Sequence, residues 1–457
     1  MTKDKTSCLH PIDWRYGSEE MRQLFSREKR LELLLKVEAA IAYAHAIVGD
    51  IPKKAAEEIE KKASTKFVTL ERVAEIEREI SHDIASVVRA FAEQVGEFGA
   101  YIHLGATSND IIDTAEAVRT KQALGLIEQR IVKVIQNLIK IVKEHKETVC
   151  IGRTHGSQAV PYSFGHKIAI WLEELIRHLE NIRYISQNRV MGKLSGAVGT
   201  RAAYGIHADR IVQITMDRLG IKPAIITNQL LSREIIAEIF LSLILLASSL
   251  DKFATEIRNL QRTEIGEVRE PFKSDKQVGS STMSHKRDPE KSERISSLAR
   301  MMRGYATPVL ENIVTWHERD LANSANERYL HPSIFLTLDQ ILLDFDFVTE
   351  GLVINTEKMK ENLNLSKGIV MAEAVMTELV RNGMNRQVAH ELLRELSMKA
   401  YQENKPLFDE LKRNKEIIKT IAEKELKEIF DHPENYLGTA KEQIEIVLLL
   451  AEKAINK

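Results

Sequence analysis

Four stretches gather the side chains able to do chemistry: Tyr101 to Asp110 (YIHLGATSND), Gly152 to Pro161 (GRTHGSQAVP), Gly192 to Thr200 (GKLSGAVGT) and Gly279 to Pro289 (GSSTMSHKRDP). His155 lies in the second, and imidazole is the group best suited to exchange a proton near neutral pH. Set among glycines and hydroxyls, it reads as a presented catalytic group, with a hydrogen-bonded structural histidine as the other reading. Thr263 to Pro289 is long and poor in apolar residues. It carries Arg269, Lys273, Lys276, Lys286 and Arg287 ahead of Asp288, and its most pliable point is Gly279-Ser280-Ser281. That is the composition of a mobile lid closing on an anion; a solvated surface loop is the plainer alternative. Trp316 to Arg328 (WHERDLANSANER) places Ser324 between Arg319 and Arg328, two guanidinium forks suited to phosphate or carboxylate. The alternative there is a helix face with internal pairs to Glu318 and Glu327. Thr107-Ser108 reads as a helix N-cap, a position that also favours anions.

Other chemistries fail on spacing. Gly192-Lys193 has no glycine five residues upstream and is followed by Leu194, so it is not a phosphate-cradling loop. Gly196 and Gly199 do not complete a dinucleotide fingerprint. The 14 His form no HExxH and no CxxC exists, so no metal site is expected. Gly192 to Thr200 reads instead as a turn where backbone approaches something closely.

The elements that must carry these stretches are helical. Of 457 residues, only 21 are Gly and 10 Pro, too few for a fold of many tight turns. Apolar spacings of three and four predict helices around Leu31–Ile41 and over Asp110–Lys146, Phe164–Arg189, Ser232–Glu264, Pro289–Asn312 and Pro332–Ile354. Ser81-His82-Asp83 is placed inside a helix. Strand signals are short, at Thr148–Ile151 and Ala224–Thr227. After Asn355 the helices shorten: Gly368–Arg381, Asn385–Tyr401, Pro406–Arg413 and Lys415–Lys424. The expectation is an all-α chain in three parts: an N-terminal helical domain (1–108), a bundle of long helices with the mobile loop 263–289 (109–354), and a small helical domain (355–457). Ile239–Leu250 is apolar on every side but too short to span a bilayer, which takes about 20 residues. It predicts a helix surrounded by helices of other subunits or, alternatively, the centre of a large monomer. Net charge −1 gives no field for nucleic acid or membrane. Two cysteines, Cys8 and Cys150, and no apolar secretory region at the N-terminus point to a cytoplasmic setting.

Taken in order along the chain, these blocks resemble the fumarase/aspartase superfamily and, within it, the adenylosuccinate lyase branch. Gly279–Pro289 is similar to the superfamily signature GSSxMPxKxNP. Gly152–Gly156 resembles the branch's GRTHG, and His103–Thr114 and Trp316–Arg328 match two further blocks, as does the early DWRY. The resemblance implies an all-helical homotetramer with a central bundle of long helices and active sites shared between subunits. It implies release of fumarate from adenylosuccinate and from succinylated aminoimidazole carboxamide ribotide, with no cofactor. Ser280 then matches the base that removes the succinyl Cβ proton, and His155 the acid that protonates the leaving nitrogen. Glu293 matches the carboxylate that orients His155, and Lys286 the support for developing negative charge. Arg15, Tyr16, Arg294, Arg319, Ser324 and Arg328 match positions holding the nucleotide, mainly its phosphate. His82, Asp83, Thr107, Ser108, Gln229 and Ser281 match other pocket positions. Three residues depart from the pattern. Ser284 replaces Pro, Asp288 replaces Asn and puts negative charge beside an anionic pocket, and Ser81 stands where a cation often precedes His-Asp. The nearest alternative is another superfamily member, such as 3-carboxy-cis,cis-muconate cycloisomerase.

Overall fold

The structure, a computed structural model, describes residues 10–272 and 277–456; Cys8, Lys273 and Lys276 lie outside the described residues. Helices dominate, and the strands among the described residues form three two-stranded pieces. The chain is all-α as expected.

The long helices form where apolar residues recur at helical spacing, with boundaries set by local chemistry. Arg27–Val48 begins at Ser26, whose Oγ accepts the Lys29 amide at 3.1 Å, and ends at Gly49 with φ +91°. Ser108–His145, Phe164–Asn188 and Arg233–Leu260 follow the expected ranges to within a few residues. Four segments differ. Pro289–Asn312 divides into Glu290–Gly304 and Ala306–Glu311, because Gly304 is a poor interior residue and Pro308 supplies no amide for a continuous helix. Conversely, Pro332 does not open its helix but lies inside Ser324–Glu350. The lost hydrogen bond is outweighed by burial of Leu330, Ile334, Phe335 and Leu338, each no more than 3% exposed. Ser81-His82-Asp83 is a break between Leu70–Ile80 and Asp83–Val95, not helix interior. Ser81 takes the left-handed conformation (φ +53°), and the His82 ring accepts the Ala85 amide as an N-cap. Ala224–Thr227 is irregular, and the short strand there is Lys222–Pro223.

By internal packing the chain forms two units, neither contiguous in sequence: Met1–Ile131, His178–Asp251 and Ile295–Leu343 make one, and Val132–Arg177, Lys252–Arg294 and Asp344–Lys457 the other. In the first, Arg27–Val48 is buried nearly all round and packs on Lys53–Lys62 and Ala208–Leu219. In the second, Val375, Leu379, Leu393, Leu407, Leu411, Ile417 and Leu426 close a core among the short C-terminal helices. A smaller cluster of Ile151, Leu363, Val370 and Met371 seats a hairpin made of β1 (Val149–Thr154) and β2 (Ser157–Ser163).

Candidate active site

In the second unit, His155 stands at the tip of the β1–β2 hairpin. Thr154 pairs with Ser157, so His155-Gly156 is a two-residue loop. Both have positive φ, +55° and +80°. This is the twist-matched hairpin turn, and a non-glycine residue in it is sparsely populated and tends to mark function. Below the tip, Arg153 donates to both oxygens of Glu267 at 3.1 and 2.6 Å, and Asn362 Nδ2 donates to Glu267 at 2.8 Å. Gln158 Nε2 donates to the Asn362 carbonyl at 2.8 Å. Burial opposes the charge on Arg153, but Glu267 outweighs it and raises the guanidinium pKa. A bidentate pair between half-buried Arg153 and buried Glu267 thus fixes the hairpin while His155 stays exposed.

The signature loop folds on itself. A Cβ on Gly279 would fall 2.1 Å from the Lys286 carbonyl oxygen, so only glycine permits that approach. Within the turn, Ser280 Oγ accepts the amides of Thr282 and Met283 at 3.3 and 3.1 Å. Donors aimed at a hydroxyl oxygen stabilise it more as it becomes negative, which is what a serine base requires. Ser281 is exposed beside it. Lys286 Nζ lies 3.3 Å from Asp288, so the departing acidic residue is paired within the loop. The loop's far end is anchored, since Gln261 donates to the Arg287 carbonyl at 3.0 Å and Glu270 accepts the Lys291 and Ser292 amides at 3.1 and 2.6 Å. The helix started there presents Glu293 to solvent. Among the described residues, neither the Glu293 carboxylate nor the His155 ring has a hydrogen-bond partner. Arg294 is committed to Asp344, with Nε 2.7 Å from Oδ2.

The first unit holds the remaining residues. Asp110, buried in the first turn of Ser108–His145, accepts the amides of Thr107, Ser195 and Gly196 at 3.0, 2.8 and 3.0 Å and the Tyr204 hydroxyl at 3.1 Å. Lys193 Nζ completes its shell at 2.7 Å. One carboxylate therefore joins the Thr107 and Gly192–Thr200 knots. The hydroxyls of Thr107 and Ser108 keep no hydrogen-bond partner among the described residues, while Asp110 accepts the Thr107 amide. The close approach expected at Gly192–Thr200 is also present: a Cβ on Gly199 would sit 2.1 Å from the Thr227 oxygen. Thr107 and Ser108 line a cavity of about 300 Å³ together with His82, Arg89 and His103.

His103 was not among the expected site residues. Its Nδ1 lies 2.7 Å from Glu38, which also accepts the His103 amide at 3.1 Å, and its φ is +65°. Burial alone would lower the imidazole pKa, but the fully buried Glu38 outweighs it and the net shift is upward. The available signal was its place two residues before Gly105 in the same polar knot.

A second cavity of about 370 Å³ is lined by Asp83, Arg319, Ser324 and Arg328, among others. Arg319 donates to Gln229 Oε1 at 2.5 Å, and Gln229 in turn donates to the Ala197 carbonyl at 2.7 Å. Arg328 Nη2 donates to Asp83 Oδ2 at 3.0 Å. Four expected residues thus meet in pairs. Arg15 stands elsewhere, its guanidinium over the Trp14 and Tyr16 rings at 5.7 and 5.9 Å, while the Tyr16 carbonyl accepts from Arg22 at 3.2 Å.

Comparison with known proteins agrees with these blocks. A family described as lyase matches residues 15–304, and one described as adenylosuccinate lyase C-terminus matches residues 368–447. The chain is 49% identical to the adenylosuccinate lyase of Pyrococcus abyssi over 98% of both chains. It is 44% identical to that of Methanocaldococcus jannaschii over 96% of both. Among solved structures, a fumarate lyase from Mesorhizobium sp. superposes with TM-score 0.86 at 32% identity, covering 94% of this chain and 98% of that one. The 3-carboxy-cis,cis-muconate lactonizing enzyme of Pseudomonas putida superposes with TM-score 0.87 at 28% identity, covering 97% and 99%. The cycloisomerase branch thus shares the fold, whereas the sequence relatives and the C-terminal match select one branch: the chain belongs to the adenylosuccinate lyase family of the fumarase/aspartase superfamily.

Proposed function

We propose that this chain splits fumarate from adenylosuccinate to leave AMP, and likewise from succinylated aminoimidazole carboxamide ribotide. Ser280, as alkoxide, takes the succinyl Cβ proton; the electron pair left on Cβ forms the C=C bond as the C–N bond breaks. The nitrogen leaves with a proton from His155. The Cβ–H is weakly acidic, so charge spreads into the neighbouring carboxylate, where Lys286 and the free hydroxyls of Thr107 and Ser108 are suited to hold it. Glu293 orients His155. Arg15, Tyr16, Arg294, Arg319, Ser324 and Arg328 hold the nucleotide, with His82, Asp83, Gln229 and Ser281 shaping the pocket and Ser81 setting the break that presents His82. The observation carrying the reading is the pair of backbone amides directed at Ser280 Oγ.

The active form is a homotetramer whose sites draw on more than one subunit. In support, Leu245, in the apolar stretch Ile239–Leu250 of the helix Arg233–Leu260, is 60% exposed in the single chain, and among the described residues no carboxylate is hydrogen-bonded to His155. A cytoplasmic location fits a buried free Cys150 thiol, which burial pushes up to about 12. Among the described residues no helix is long and apolar enough to cross a membrane.

The test mixes purified protein with each succinylated nucleotide and follows ultraviolet absorbance. Turnover of adenylosuccinate is expected, together with a loss of several orders of magnitude in Ser280→Ala. No turnover of either substrate refutes the reading, and a near-normal rate in Ser280→Ala refutes the base assignment.

A further inference from the structure

The geometry points to Arg30 as a phosphate-gripping residue of this site, paired with Arg328 across Asp83. It rests on the nucleotide reading above and adds a residue to it. Arg30 lies on the first turns of Arg27–Val48, and Ser26, Arg27 and Arg30 line the same cavity as Asp83, Ser324 and Arg328.

Charge compensation in this cavity is uneven. Asp113 and Glu327 share Arg233, at 3.0 and 2.8 Å. Glu116 takes Arg119 as its ion-pair partner. Asp83 lies between two guanidinium groups: its Oδ2 is 3.0 Å from Arg328 Nη2 and 3.9 Å from Arg30 Nη2. The Arg328 contact is a hydrogen bond; the Arg30 contact is too long to be one. Among the described residues Arg30 makes no side-chain hydrogen bond, its contact with Asp83 is its one ion pair within 4 Å, and it keeps 35% exposure. Burial lowers its pKa, and the carboxylates of Glu116 and Asp83 only partly offset this.

One carboxylate oxygen cannot satisfy two five-donor forks. A phosphomonoester dianion offers three terminal oxygens and two negative charges, enough to accept from both arginines at once. Asp83 then acts as a place-holder, keeping the two guanidinium groups near one point until the phosphate arrives. The N-terminal end of the helix bearing Ser26 and Arg27 adds a favourable partial positive charge there.

The test measures binding of inorganic phosphate and AMP by calorimetry, and steady-state turnover, in the full-length protein. Arg30→Met is expected to weaken phosphate and AMP binding and raise KM by about 10- to 100-fold, the range for losing a charge-assisted hydrogen bond, with kcat changed only a few-fold. Arg30→Lys should recover part of the loss, since it keeps the charge without the fork. Asp83→Asn should tighten inorganic phosphate binding, because the competing charge is gone, and a folding defect would not do this. Unchanged phosphate binding in Arg30→Met overturns the assignment, as does a parallel fall of kcat and melting temperature with phosphate affinity intact. Absence of phosphate and AMP binding in the unaltered protein overturns it too. Because binding is read without turnover, a chain that grips phosphate through Arg30 yet fails to cleave adenylosuccinate would refute the proposed reaction and leave this assignment standing.

Discussion

A serine hydroxyl works as a base only where its oxyanion is held, and the amides of Thr282 and Met283 are placed for that at Ser280. The residue types were legible in the sequence: serine, lysine and imidazole recur in polar knots between apolar helices. Their partners were not, because a partner is chosen by distance in space. Asp110 joins loops some 85 residues apart in sequence, and His103 is set by Glu38, 65 residues away. The His103 pair has a pH signature. Its folded pKa lies above the unfolded value of about 6.5, so the stabilisation is fully present below that value and is lost as pH rises through the folded pKa. His103→Gln should therefore cost stability to urea at about pH 5.5 and much less at about pH 9. Equal losses at both would show that the charge of His103 contributes nothing.

At the scale of elements, periodicity located the long helices because a helix that buries one face must repeat its apolar residues. It failed where a local contest decides. Pro332 reads as a helix start, but the buried side chains around it carry the helix through. Ser81-His82 reads as helix interior, but Ser81 adopts the left-handed turn and His82 caps the next helix. The His155 hairpin was seen only as a short strand signal, since neither Arg153 nor Glu267 announces the other across 114 residues. That pair makes a prediction. Arg153→Leu leaves Glu267 buried and uncompensated, and should destabilise the protein by about 3–5 kcal/mol in denaturant titration. A cost under about 1 kcal/mol, usual for surface pairs, would mean the hairpin is held by its apolar cluster instead.

For the whole molecule, the two packing units are each gathered from three separate stretches of chain, an arrangement that texture along the sequence cannot reveal. The partly buried Leu241 and the exposed Leu245 lie in the apolar stretch Ile239–Leu250, the kind of face another copy would cover. Sedimentation is expected to give a mass of four chains, and Leu245→Glu to shift it towards smaller species. A stable, active monomer would refute the shared-site tetramer. By itself the sequence determined the helical class, the family and the chemical types at the site, because these depend on residue identity and near-neighbour spacing, both one-dimensional properties. Only the tertiary structure decided which carboxylate holds which cation, that Asp288 is paired with Lys286, and that Asp83 stands between Arg30 and Arg328. Electrostatic and hydrogen-bond energies fall off with distance in space, and the fold alone sets those distances.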